Sequence, residues 1–402
     1  MADSTSRSLR RRNRARVLRS IVLARETTRA ALAADCELST ATVTNVVGDL
    51  IAEGVVEEVG SVPSDGGRPI ARIAMRASGG HLVGVDVGER GVAIELFDLT
   101  MTRVDREFRE GPTREAGPAE IAAMLREGTA ALRDRNPGPD ATLIGIGLGL
   151  PGIVEHDDAR GGQVLHAQSL GWPPVAVREL VGDPGVPVLA DNGAKTLAEA
   201  ELWFGAARGA RHALVVLLGR GVGLGVVSDG RLLRGARGSA WEWGHTRMSV
   251  GDGPLCRCGA RGCLEAYVGA HAVLERWRAA GATETGEGWR AVSALVDAAD
   301  AGDPVASRVL DETLDVLGIA LGNLVDLTNP ERVVVGGWVG LRLMATRRAD
   351  LVARIGASSL ARPGGQFTLD LCRFEGDSVA LGAALLPLQA FIERPMTVSG
   401  AA

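Results

Sequence analysis

Residues 213–227 read Ala213-Leu214-Val215-Val216-Leu217-Leu218-Gly219-Arg220-Gly221-Val222-Gly223-Leu224-Gly225-Val226-Val227. An apolar run, a turn with glycines and a second apolar run describe two strands of a meander. Arg231–Arg234 continues it as a third strand. The pattern also stands earlier in the chain. Leu82–Val87, Val92–Leu99 and Val104–Phe108 read as three strands with short turns. A helix over about Ala119–Arg133 then leads to a buried strand at Thr142–Leu150. The second meander is likewise followed by helices and a buried strand, Arg332–Val335. Two such units in tandem predict an α/β body of two lobes around a cleft. Open α/β sheets bind ligands at the carboxyl ends of their strands. Glycine-rich loops stand at those ends: Asp86–Gly91, Gly147–Gly152 and Gly219–Gly223. Glycine lets backbone amides approach a phosphate, although β-turns need it too. Their equivalent places in two halves point to a nucleotide cleft or the remnant of one.

Just downstream, His245 precedes Cys256, Cys258 and Cys263 in the arrangement His-x10-Cys-x-Cys-x4-Cys. Gly251, Gly253, Gly259 and Gly262 let the loop fold tightly. Three thiolates and an imidazole are the donor set of a closed structural zinc site, expected here as a knuckle over 245–263. Cys36 and Cys372 are isolated and read as buried apolar residues.

The start of the chain is a different unit. Val17, Leu18, Ile21 and Val22 share one face of a helix over 13–24. A short helix follows Thr28, from Arg29 to about Asp35, and a four-residue turn leads to Ser39, a good N-cap. The next helix buries Val43, Val46, Val47, Leu50 and Ile51 and ends at Gly54. Strands at Val55–Val59 and Ile70–Met75 flank a turn at Ser64-Asp65-Gly66-Gly67. This order predicts a winged helix-turn-helix, whose second helix enters the major groove of double-stranded DNA. Ser39, Thr40, Thr42, Thr44 and Asn45 are the expected base-edge readers, and Arg14 and Arg16 the expected phosphate contacts. Arg68, held by Pro69 at the wing tip, suits either a minor groove or a salt bridge to the body.

The chain has 402 residues, 46% hydrophobic and 23% charged, which excludes disorder throughout and suggests two or three domains. We place the boundary between 1–78 and 79–402. Residues 1–80 carry twelve Arg against nine acidic residues. The overall charge of −5 is therefore a basic head on an acidic body, which points to a polyanion partner at the head alone. The first dozen residues suit a solvated tail or a phosphate-binding arm equally. No apolar run approaches the ~18 residues of a membrane span, and Ile21–Ala24 is too short for a secretory signal. Five cysteines without an export signal argue for thiols or metal in the cytoplasm. Lys195 is the only lysine, which reads as codon composition.

With these pieces in hand, the chain resembles the ROK family, named for repressors, open reading frames and kinases. The most specific stretch is Leu217–Tyr267, with Gly219–Gly225, Glu242-Trp243-Gly244-His245, the three cysteines and Leu264-Glu265-Ala266-Tyr267. These residues look like the family's second phosphate loop, its sugar and zinc motif and its zinc knuckle. The head, closed by Ser64–Pro69, is similar to that of the DNA-binding members. The resemblance implies an actin-like, ribonuclease-H-like body, with Asp191, Glu242, His245 and Glu265 at sugar hydroxyls. Glu265 serving only to cap the knuckle, and His245 serving only the metal, are the alternatives. Asp191 aligns with the family's catalytic base. Its neighbours depart from the kinase pattern: Ala190 and Gly193 stand where the family has Asn. The first phosphate loop, Gly88-Glu89-Arg90, has lost its Gly-Thr, and Arg220 replaces Thr in the second, Gly219-Arg220-Gly221. A carboxylate aimed at a triphosphate repels it. The resemblance implies a sugar-responsive regulator, a homodimer or homotetramer repressing carbohydrate-use genes, with Asp191 as a vestigial base. An ATP-dependent sugar kinase with a regulatory head is the alternative, and a ligand-independent regulator a third.

Overall fold

The computed structural model describes residues 2–63, 69–88, 90–111, 116–138, 142–157, 162–283, 286–374 and 378–394, leaving aside the side chains of 2–7. It opens with helix α1 (Ala2–Ala24), strand β1 (Glu26–Thr28) and helices α2 (Arg29–Asp35) and α3 (Thr40–Ala52). Strands β2 (Val56–Val62) and β3 (Ile70–Met75) complete the head. The Thr28 hydroxyl accepts from the Ala31 amide to start α2, and Ser39 accepts from Thr42 at 3.1 Å to start α3. Gly54, at φ +74°, adopts the left-handed conformation that ends a helix. Val17, Leu18, Ile21, Leu32, Val43, Val47 and Leu50 are fully buried together. This is a winged helix-turn-helix.

Two features differ from the expectation. Helix α1 begins at Ala2, because its arginine-rich first half is a good helix former without apolar periodicity. The wing is a three-stranded sheet in the order β1-β3-β2, since the three residues of β1 are too short to alternate visibly.

A single turn at Ala77–Gly79 leads into the first lobe: β4 (His81–Gly88), β5 (Gly91–Asp98), β6 (Arg103–Glu110), α4 (Pro118–Arg135) and β7 (Leu143–Leu150). A small sheet of β8 (Ile153–Asp157), β9 (Gly162–His166) and β10 (Val175–Ala176) precedes α5 (Val177–Val181), β11 (Val188–Asn192) and α6 (Gly193–Phe204). The second lobe has β12 (Ala213–Leu218), β13 (Val222–Ser228) and β14 (Arg231–Leu232). They are followed by α7 (Glu265–Val268), α8 (Ala270–Ala279), α9 (Gly288–Asp300) and α10 (Pro304–Thr328). Then come β15 (Arg332–Gly336), α11 (Trp338–Ser358), α12 (Ala361–Gly364), β16 (Thr368–Leu371) and α13 (Ser378–Ile392).

The sheets run β6-β5-β4-β7-β11 and β14-β13-β12-β15-β16. In both, the first strand has an antiparallel meander on one side and two parallel strands on the other. Identical order and sense in two halves is the duplicated architecture expected of the actin-like fold.

Helix α13 crosses back onto the first lobe, and its closeness there is set by glycine. A Cβ at Gly382 would lie 1.7 Å from the Thr196 carbonyl oxygen of α6. The head is not a separate bead. One hydrophobic cluster joins Val17, Leu18 and Ile21 to Leu82 and Leu99 of the first lobe, Trp203 of α6 and Leu388 and Ile392 of α13. Among the described residues, no helix is long and apolar enough to cross a membrane.

Candidate functional site

The knuckle is built by backbone turns. Cys256 donates its amide to the Ala260 carbonyl and Gly259 donates to Cys256, which curls the loop back on itself. Isolated bridges pair Arg247 with Cys263 and Leu255 with Arg261. A short helical turn, Trp243–His245, presents the imidazole. The donor atoms of His245, Cys256, Cys258 and Cys263 all lie within 4.8 Å of one another. Cys258 Sγ is 3.8 Å from Cys263 Sγ, and Cys256 Sγ is 3.7 Å from His245 Nδ1. Tetrahedral bonds of ~2.3 Å set sulfurs about 3.8 Å apart, so the cluster has the spacing of a four-coordinate metal site. Burial pushes the Cys256 thiol up to about 12. A dication is what reverses that cost, because it binds the thiolate.

Beside the knuckle, the carboxyl end of β11 carries Asp191, buried at the start of α6. Asn192 caps that helix by accepting from Ala194, and its amide donates to the Gly152 carbonyl. Asp191 is not a bare carboxylate. Oδ1 accepts from the Asn192 amide at 2.8 Å, and Oδ2 accepts from Arg234 Nε at 2.7 Å. The same guanidinium donates through Nη2 to Glu199 at 2.9 Å. Lys195, one turn into α6, is fully buried, donates to the Gly238 carbonyl and stands 4.0 Å from Glu242. Burial draws its ammonium down, with Asp191 and Glu242 opposing. Burial pushes the Glu242 carboxyl up, against the pull of Lys195 and His245. Asp191, Lys195, Glu242 and His245 thus form one electrostatic neighbourhood.

Glu265 is a brace. Oε2 accepts from the Val222 amide and Oε1 from Arg257 Nη2, both at 3.1 Å. It ties the Gly219–Gly221 turn to the knuckle. A Cβ at Gly221 would come within 2.8 Å of Glu265, which explains the glycine there. Gly88 ends β4 and Arg90 is exposed, while Glu89 lies outside the described residues. Arg220 lines a cavity of about 110 Å³ with Arg257, His271, Arg278 and Trp338. Pockets for larger organic ligands run to ~300–1,000 Å³.

On the head, Ser39, Thr40, Thr44 and Asn45 are exposed and Thr42 is partly so. The hydroxyls are partly engaged locally: Ser39 with Thr42 at 2.8 Å, and Thr44 with the Thr40 carbonyl. Arg16 is half-exposed, 3.8 Å from Glu37. Arg68 lies outside the described residues.

Arg14 requires a correction. It is buried, donates to Glu53 at 2.8 Å and to the Ile392 carbonyl, and lies over the Phe391 ring. Its guanidinium joins the head to α13 and is not exposed for a phosphate contact. Arg14 and Arg16 stand two residues apart on α1, about 200° round the helix, so α13 covers only the first.

The sequence reading also passed over Arg234, Lys195 and Glu199. A signal was there: Asp191, Lys195, Glu199 and Trp203 recur every four residues, one face of α6. The lone lysine among so many arginines was a second signal, because a compact ammonium fits where a guanidinium does not.

Comparison with known proteins agrees with this architecture. The ROK family model matches residues 82–389. A glucokinase of Halalkalibacterium halodurans is 36% identical over 269 residues, 64% of this chain and 80% of its own. A xylose repressor of Caldicellulosiruptor bescii is 31% identical over 337 residues, 82% of this chain and 83% of its own. The crystal structure of a ROK family transcriptional regulator, a homologue of the E. coli MLC protein, superposes with a TM-score of 0.76 at 23% identity. It covers 96% of this chain and 97% of that one, so the likeness includes the head. On the matched model, the shared two-lobed topology and the knuckle, this chain belongs to the ROK family.

Proposed function

We propose that this protein is a sugar-responsive, DNA-binding transcriptional regulator, a repressor of carbohydrate-use genes, with a zinc knuckle and a kinase site that has lost phosphoryl transfer. The observation that carries the reading is the union of two parts in one core. An exposed, hydrogen-bonding first turn of α3 is packed through α1 onto a body that the ROK family model matches. The relatives include a xylose repressor and a glucokinase, so family membership alone does not choose between them.

The clamped carboxylate favours the regulator. A general base must face the proton it abstracts, and without a sugar Asp191 gives one oxygen to Arg234 and the other to Asn192, so any base role would first have to displace Arg234. Asp191, Glu242 and His245 suit the hydroxyls of a sugar, with Glu265 holding the adjacent loop. The four-residue cluster suits zinc as a structural ion, which would cross-link a loop with little apolar content of its own. Paired heads of a homodimer or homotetramer would read half-sites about one DNA turn apart. Ligand-dependent change in their spacing would alter affinity.

The test uses duplexes selected from a random pool by the full-length protein. Binding is followed by fluorescence anisotropy with glucose, xylose and N-acetylglucosamine added in turn. We expect salt-dependent duplex binding that one of these sugars weakens. Failure to retain any duplex at low salt would overturn the regulator reading.

A further inference from the structure

The buried charges of α6 lead away from the sugar motif and toward the head. Arg234 bridges Asp191 and Glu199, both of them buried. The other oxygen of Glu199 accepts from Gln389 Nε2 of α13 at 3.0 Å. One turn beyond Gln389, α13 meets α1. Arg14 donates to the Ile392 carbonyl and covers the Phe391 ring at 5.7 Å, and Arg11 donates to the Glu393 carbonyl. Arg14 also holds Glu53, the residue that caps the carboxyl end of α3. A second track runs along α6 itself, about 18 Å of helix at 1.5 Å per residue. At its far end Trp203 lies 4.8 Å beneath the Arg19 guanidinium of α1.

These tracks are stiff. Gly382 brings α13 into backbone contact with α6 at Thr196, and Gly147 brings β7 against Ala383 of α13. Neither helix has room to move without the other, because close-packed interiors transmit displacement.

We propose that Arg234 is a ligand-sensing latch. A sugar whose hydroxyl takes the Asp191 oxygen frees Arg234 from Asp191, which shifts its hold on Glu199, and Glu199 passes the change through Gln389 and α13 to α1 and the cap of α3. The inference rests on the sugar-binding reading above and specifies its regulation. Its thermodynamic requirement is that ligand and Arg234 compete for one carboxylate, which gives the ligand different affinities for the latched and unlatched forms. The physical claim is a coupling between Arg234 and Gln389 that is present without any sugar.

The experiment is a double-mutant cycle on the full chain, read as affinity for the selected duplex without sugar. Arg234→Met releases the latch and is expected to change affinity at least about 5-fold, the low end of allosteric couplings. Gln389→Met, which removes the hydrogen bond from α13 to Glu199, is expected to abolish that effect when combined with it. Glu199→Gln keeps the shape of the side chain, tests the same link, and stands in for Arg234→Met if that variant does not fold. Equal effects of releasing the latch with and without Gln389, or no effect at all, would overturn the relay. A separate arm titrates the unmodified protein with glucose, xylose and N-acetylglucosamine by calorimetry. Absence of sugar binding there would count against the sugar-responsive reading, while the cycle would still judge the relay.

Discussion

At single residues, the chemistry depends on what each charged group faces. Asp191, buried at the end of β11, is held by a guanidinium whose loop comes from the second lobe. Arg14, rich in donors and early in a basic helix, is spent inside the protein. Arg14→Met is therefore expected to act on folding. A lost charge-assisted hydrogen bond is worth ~1.5–3 kcal/mol, and the partial exposure of Glu53 places the cost toward the lower end. Urea unfolding should show it as a lower midpoint. Arg16→Ala should leave that midpoint in place and reduce duplex affinity, with a shallower dependence on salt. At the knuckle, Cys258→Ala is expected to take metal content from about one ion per chain to none. Elemental analysis of protein purified without chelators checks it, and a metal-free parent protein would remove the site from the account.

At the scale of elements, α3 and α13 carry most of the consequence. The inner face of α3 is Val43, Val47 and Leu50, and its outer first turn is short polar side chains. Asn45→Ala is expected to relax sequence preference, at ~1–3 kcal/mol of discrimination for a lost bidentate base contact, and Thr42→Ala, with one hydroxyl to lose, by less, both leaving folding intact. Repeating the duplex selection with each variant reads this directly. An unchanged consensus would place base reading elsewhere. Helix α13 is seated without side-chain clearance. Gly382→Ala must push it off α6, where overpacking typically costs ~1–3 kcal/mol, and backbone contact leaves little relief. Thermal unfolding should register this loss across the head and both lobes together, because one cluster spans the head, α6 and α13.

At the scale of the whole molecule, the two lobes have the ROK frame shared by a glucokinase and a xylose repressor, and our proposal is that this chain does not carry out phosphoryl transfer. Phosphoryl transfer depends on positioning and charge stabilisation almost entirely, and kinases that supply both turn over at ~1–100 per second. Here one oxygen of Asp191 is engaged by Arg234. We expect no sugar-dependent release of ADP from ATP across a sugar panel. Asp191→Ala should weaken sugar binding and, by releasing Arg234, shift duplex affinity in the same direction as Arg234→Met. Turnover at ordinary kinase rates in a coupled assay would instead establish the enzyme reading.

Several of these features were legible in the chain alone, because they rest on local order. The short apolar runs of two meanders, separated by glycine turns, point to strands, and their repetition points to two lobes. The spacing of His245, Cys256, Cys258 and Cys263 specifies a metal set, since ligands close in sequence need only a tight turn to meet. Ser39 and the stripe of α3 specify a capped, one-faced helix. The partners of charged groups were decided only by the tertiary structure. Arg234 and Asp191 are 43 residues apart, Glu199 and Gln389 are 190, and Arg14 meets a carbonyl 378 residues away. Nothing periodic links such pairs. A buried charge is tolerable only beside its counter-charge, and which counter-charge is near depends on how two lobes and a head close on one another.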